Sequence, residues 1–141
     1  FFAEAGLQPE RRVAPHGVHY RAGRVEVIVG DVFGVPAPVL ASCTAVYDRA
    51  ALIALAPAQR RPYADAVYGR LPTGSPGLLI SLEYAQDLMA GPPFSVPETE
   101  VRELFEPRWS VTLAVRRDTT GPQRAEEGTG FSAAAYRLER R

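Results

Sequence analysis

The sequence predicts an α/β fold, a layered sheet with helices packed against it. Short β-branched or apolar runs (Val25–Val29, Thr44–Tyr47, Gly77–Leu82) alternate with stretches of helical spacing. The run Gly77-Leu78-Leu79-Ile80-Ser81-Leu82 is almost wholly apolar, as expected of a strand covered on both faces. Apolar residues make up 46% of the 141 residues and charged residues 23%, enough to build one packed domain spanning residues 1–141.

The elements follow in order. Phe1-Phe2-Ala3-Glu4-Ala5-Gly6-Leu7 reads as the last turn of a helix with Gly6 as its stop, so the chain is expected to be part of a longer protein. The stretch carrying His16 and His19 reads as irregular. Val25–Val29 is the first strand, closed by Gly30-Asp31. A Pro-rich loop is expected from Val35 to Leu40, then the strand Thr44–Tyr47. Helical signals run over Ala50–Leu55 and again over Pro57–Leu71, with Pro57 suited to a first turn. Leu71–Gly77 is a turn and Gly77–Leu82 a strand. The irregular Glu83–Val96 loop leads to a helix opened by Pro97-Glu98-Thr99-Glu100, whose acids face the positive end of the helix dipole. Ser110–Val115 and Ala134–Leu138 close the chain as an antiparallel pair, joined by a polar arm over Asp118–Gly130.

Sixteen basic residues, all arginine, balance sixteen acidic ones, so no net field favours nucleic acid or an anionic membrane surface. A single cysteine, Cys43, excludes an internal disulfide and fits a reducing, cytoplasmic setting; it reads as a small buried residue. No apolar run approaches the ~18 residues of a membrane span. No His or Cys pair has metal-ligand spacing, so no metal is expected. The Gly-rich nucleotide fingerprint is also missing.

Ligands of such sheets bind beyond the carboxyl ends of the strands. Asp31, the pair Asp48-Arg49 and Glu83 all follow strand ends, which makes a charged rim a candidate site. Each has a plainer reading. Asp31 is a natural turn starter, Asp48 a helix cap, Arg49 half of a surface ion pair, and Glu83 rim decoration.

Longer stretches go further. VYDRAALIALAPAQRRPYA (46–64), GLLISLEY (77–84), GPPFSVPETEVRELF (91–105) and GDVF (30–33) together resemble the bacterial thiopurine S-methyltransferase family over nearly the whole chain. That resemblance implies a seven-stranded, Rossmann-like, S-adenosyl-L-methionine-dependent methyltransferase sheet of order 3-2-1-4-5-7-6 with an antiparallel last strand. Val25–Val29 would be the family's strand three, Thr44–Tyr47 strand four, Leu78–Leu82 strand five, and Ser110–Val115 and Ala134–Leu138 strands six and seven. Strands one and two, their Gly-rich loop and the acid that holds the ribose have no counterpart in these residues. The chain alone is therefore expected to be inactive and poorly stable, with strand three lacking a neighbour and strand four a bare edge.

The implied reaction is methyl transfer to the sulfur of an aromatic or heterocyclic thiol by a monomeric enzyme. By the same resemblance, Arg49 lies at the junction of cofactor and substrate and favours an ionised acceptor. Asp48 orients Arg49 and caps the following helix. Asp31 and Val32 contact the adenine, and Phe33 shapes that pocket. Pro92, Pro93 and Phe94 form the acceptor-side loop, with Tyr84 beside them. Other readings stay open: a relative methylating selenium or tellurium species, halide or thiocyanate in detoxification, or a truncated remnant without activity.

Overall fold

The computed structural model describes residues 1–118 and 130–141, so the arm expected over Asp118–Gly130 lies almost wholly outside the described residues. The chain forms two compact units, Phe1–Leu40 and Ala41–Arg141.

The first unit opens as expected for a helix end. Leu7 N–H donates to Phe2 O at 2.9 Å and Gly6 N–H to Ala3 O at 3.1 Å, with Gly6 at φ +66°. These are the two bonds of a Schellman motif. Three strands follow: β1 (Glu10–Ala14), β2 (Gly17–Ala22) and β3 (Val25–Val29), an antiparallel meander in the order β1-β2-β3. β3 has the expected bounds, but it does not lack a neighbour: it pairs with β2 from Val18↔Val29 to Ala22↔Val25. The stretch read as irregular is in fact the β1–β2 hairpin. Its strands were masked by charge, because one face carries Arg12, His19 and Arg21. His19 is buried, lies 2.6 Å from Glu26 Oε1 through Nδ1, and faces His16 at 2.7 Å between their Nε2 atoms. The bond to His19 holds the Glu26 carboxyl below its usual range. In place of the expected Pro-rich loop, Val32–Gly34 form a 3₁₀ turn and α1 spans Ala37–Ala41.

The second unit is a four-stranded sheet of β4 (Val46–Arg49), β5 (Pro76–Glu83), β6 (Trp109–Asp118) and β7 (Ser132–Arg140), in the order β4-β5-β7-β6. β4 runs parallel to β5, and β7 is antiparallel to both neighbours. This matches the implied order for these four strands and leaves β4 at an edge. One face packs on α2 (Pro57–Ala66) and α3 (Glu98–Phe105), which bury Tyr63 and Ala64 from the one and Val101, Leu104 and Phe105 from the other. Trp109 is buried at the start of β6, against Tyr68 at 5.6 Å between ring centres.

Four expectations need correction. β4 ends at Arg49 and β5 at Glu83, so Asp48, Arg49 and Glu83 close their strands instead of following them. Ala50 takes φ 72°, and only a single 3₁₀ turn, Leu52–Ala54, forms where a helix was expected. Leu78 is 42% and Tyr47 63% exposed, so β5 is not covered on both faces; its inward residues Gly77, Leu79 and Ser81 are buried. Cys43 is exposed.

Asp48 is buried in this core without a cation beside it among the described residues. Its Oδ1 accepts Leu52 N–H at 3.2 Å, and its Oδ2 accepts the Tyr63 and Tyr68 hydroxyls at 3.0 and 2.9 Å. Asp48→Ala would strand two phenols and an amide, so an unfolding free energy lower by about 2–5 kcal/mol is expected in urea titration; a loss below about 1 kcal/mol would refute the role. Burial, then the charge of Asp48, pushes both phenols well above the ordinary tyrosine value. Burial and the bond to Glu83 push Tyr136 up to about 12. A raised folded value means that this stability is fully present below the unfolded value near 10 and is lost as pH rises above it. Of the six tyrosines, these three should resist ionisation in ultraviolet titration until alkaline unfolding, which should start above pH ~10.

Candidate active site

Alternation along β4 separates Asp48 from Arg49. Asp48 points into the core, while Arg49 is exposed on the opposite face and makes no ion pair among the described residues. The acid therefore does not grip the guanidinium. It fixes the strand end and the turn from which Arg49 projects. Ala50, the next residue, is in the left-handed region, a conformation that costs an alanine roughly 1–2 kcal/mol and turns the chain sharply after Arg49.

The Leu52–Ala54 turn meets the loop between β5 and α3. Phe94 N–H donates to Ile53 O at 2.6 Å, which joins the Asp-Arg-Ala-Ala-Leu segment to Gly-Pro-Pro-Phe-Ser-Val. The loop is pinned from within. Tyr84 is buried, its hydroxyl donates to Pro93 O at 2.6 Å, and its ring stacks on Phe131 at 4.8 Å. Gln86 accepts Ser95 N–H at 3.0 Å and donates to Met89 O at 2.7 Å. Gly91, at φ +79°, must be glycine, because a Cβ there would stand 2.4 Å from the Phe94 ring. Pro92 and Pro93 are exposed and Phe94 half-buried, so the loop presents an apolar edge. Arg60 lies beneath, buried, with its guanidinium carbon 5.9 Å from the Phe94 ring centre.

Glu83 sits in a structural network. It accepts from Arg116 at 3.1 Å and from the Tyr136 hydroxyl at 2.9 Å, and Arg116 also reaches Glu98 at 2.9 Å. The two partners hold the Glu98 carboxyl low, Arg102 first and Arg116 second.

In the first unit, Asp31 Oδ1 accepts Phe33 N–H at 2.9 Å, the turn-starting bond of the plain reading. No bond to its other oxygen is made among the described residues. Val32 and Phe33 are exposed beside it at 37% and 40%. An open groove of about 640 Å³ is lined by Asp31 with His16, Gly17, Gly30, Gly34 and two prolines. A Cβ on Gly30 would lie 2.3 Å from His16 O, so glycine is needed for this close backbone approach. Arg60, Gln86 and Ser95 were not singled out from sequence. Gln86 and Ser95 carry no local signal, and nothing in the sequence separates Arg60 from the adjacent Arg61.

Among the described residues, no cluster of three or more His, Cys, Asp or Glu could hold a metal, and no helix is long and apolar enough to cross a membrane.

Residues 1–141 match the thiopurine S-methyltransferase family throughout. The chain is 54% identical over 144 residues to a protein of Xanthomonas axonopodis pv. citri named thiopurine S-methyltransferase, covering 100% of this chain and 66% of the relative. Similar proteins of the same name occur in Nitrosomonas eutropha (49% identity, 99% of this chain, 65% of the relative) and Bordetella pertussis (46%, 99% and 65%). The chain thus spans just under two thirds of the length of these relatives. With the strand order of the second unit, the Arg49 turn seated on the Gly-Pro-Pro-Phe loop, and similarity along its whole length, the chain belongs to the thiopurine S-methyltransferase family.

Proposed function

We propose that the protein carrying this chain transfers a methyl group from S-adenosyl-L-methionine to the sulfur of an aromatic or heterocyclic thiol. The observation that carries this reading is the 2.6 Å bond from Phe94 N–H to Ile53 O, which brings the acceptor-side loop onto the turn that follows Arg49. Family membership supports the reaction class. Both units belong, on this reading, to one methyltransferase domain whose complete sheet has the seven-strand order 3-2-1-4-5-7-6.

The residues present fit the cofactor. The Asp31 groove has a glycine-and-proline lining that admits a flat ring, and a carboxylate oxygen open to an amino donor. Asp31 and Val32 would hold the adenine, with Phe33 shaping the edge of that site. When bound, S-adenosyl-L-methionine supplies an electrophilic methyl group on a sulfonium, so little acid–base work falls to the protein. Arg49 carries a cation that no carboxylate among the described residues neutralises, and it favours the acceptor sulfur as thiolate. Pro92, Pro93 and Phe94 wall the acceptor and keep water from it, while Tyr84 holds the loop by its bond to Pro93 O. Binding and alignment then supply most of the rate.

Arg49→Ala should lower turnover of 6-mercaptopurine by ~10²-fold. Because Arg49 is exposed, the cost in stability should stay within about 0.5 kcal/mol; parallel losses of activity and stability would remove it from the mechanism. Calorimetry should show Asp31→Ala weakening S-adenosylhomocysteine binding by roughly tenfold, the worth of one hydrogen bond to a charged group. An unchanged affinity would sink the adenine assignment.

A further inference from the structure

Arg60 is among the most deeply buried large side chains of the second unit, at 2% exposure. Burying a guanidinium is costly, and an apolar residue of similar volume commonly serves packing as well or better. Its contacts are therefore informative. Nε–H donates to Leu55 O at 3.0 Å, at the end of the turn that follows Arg49. One terminal nitrogen donates to Glu100 Oε2 in α3 at 2.6 Å, and the guanidinium carbon lies over the Phe94 ring at 5.9 Å from its centre. The other terminal nitrogen, also buried, has no hydrogen-bond partner among the described residues. Arg61, next in the chain, is exposed and serves only the backbone of α3, donating to Leu104 O at 2.7 Å and to Glu103 O.

We propose that Arg60 is a positioning residue for the acceptor wall: clamped between Leu55 O and Glu100, it fixes where the Phe94 ring stands and hence how tightly the thiol binds. Two other contacts complete the seat of the ring, the bare backbone of Gly91 and the bond to Ile53 O. A planar fork reaches a carbonyl, a carboxylate and a ring face at once, whereas the compact ammonium of lysine does not. The inference rests on the acceptor-side reading of Phe94, but the placement of the ring can be tested without it.

The test has two arms. In the first, para-fluorophenylalanine is placed at position 94 of the protein that carries this chain and followed by fluorine NMR. The expected result is one sharp line that shifts or splits in Arg60→Met and in the charge-balanced double variant Arg60→Met/Glu100→Gln. An unchanged line in a folded variant would overturn the proposal. In the second arm, methyl transfer to 6-mercaptopurine is measured in the protein that carries this chain. Arg60→Lys should raise the KM for the thiol about tenfold, with the KM for S-adenosyl-L-methionine within about twofold of the parent. Equal change in both KM values, or in neither, would overturn the role in acceptor binding even if the fluorine line moves. If the parent transfers no methyl group to any thiol, the functional reading fails, and the fluorine line alone decides whether Arg60 places the ring.

Discussion

The second unit is organised around a buried carboxylate that meets no cation among the described residues. Asp48 is held by an amide and two phenols, and those donors come from three successive segments: the 3₁₀ turn, α2 and the turn after α2. A charge in the interior is tolerated only when such donors surround it. The constraint is therefore mutual, since the segments must close on the strand end for the carboxylate to stay. Asp48 also sets the register of β4. A one-residue slip would turn Arg49 inward and the acid outward, exchanging a satisfied anion for an unsatisfied cation. This is why an acid and a base stand side by side at the end of a strand: one anchors the layer and the other is left for solvent or ligand.

The loop between β5 and α3 is held in a similar way. Its bonds run to Ile53, to Ser95 and through Tyr84 to Pro93, so its shape is held mainly by itself and by the turn after β4. A loop held in this way has little conformational entropy left to lose on binding.

Much of this was legible in the residues. The β-branched run Val25–Val29 coincides with β3, and the acid-led Glu98–Phe105 segment forms α3 with the expected inward residues. What was hidden depended on tertiary structure. β1 and β2 carry Arg11, Arg12, His19 and Arg21, whose charge obscures the alternation; Val18, Tyr20 and Ala22 before the Gly23 turn were the available signal. The helix expected over Ala50–Leu55 was blocked by one backbone angle at Ala50, which alanine's helical preference gives no reason to expect. Nor does the sequence distinguish Arg60 from Arg61. One is buried over an aromatic ring and the other caps a helix end, and only the packing of α2 on α3 decides which is which.

Trp109 has a further consequence. It is the chain's one tryptophan, and it sits in the second unit with Tyr68 at 5.6 Å and the Arg140 guanidinium 5.9 Å from its ring centre. Indole emission from these 141 residues is accordingly a spectroscopic window on the α2–α3 side of the sheet, fed by energy transfer from the phenol beside it. The Phe1–Leu40 meander, with Tyr20 as its one tyrosine and no indole, stays dark to that signal. Melting of the second unit can thus be followed through its indole.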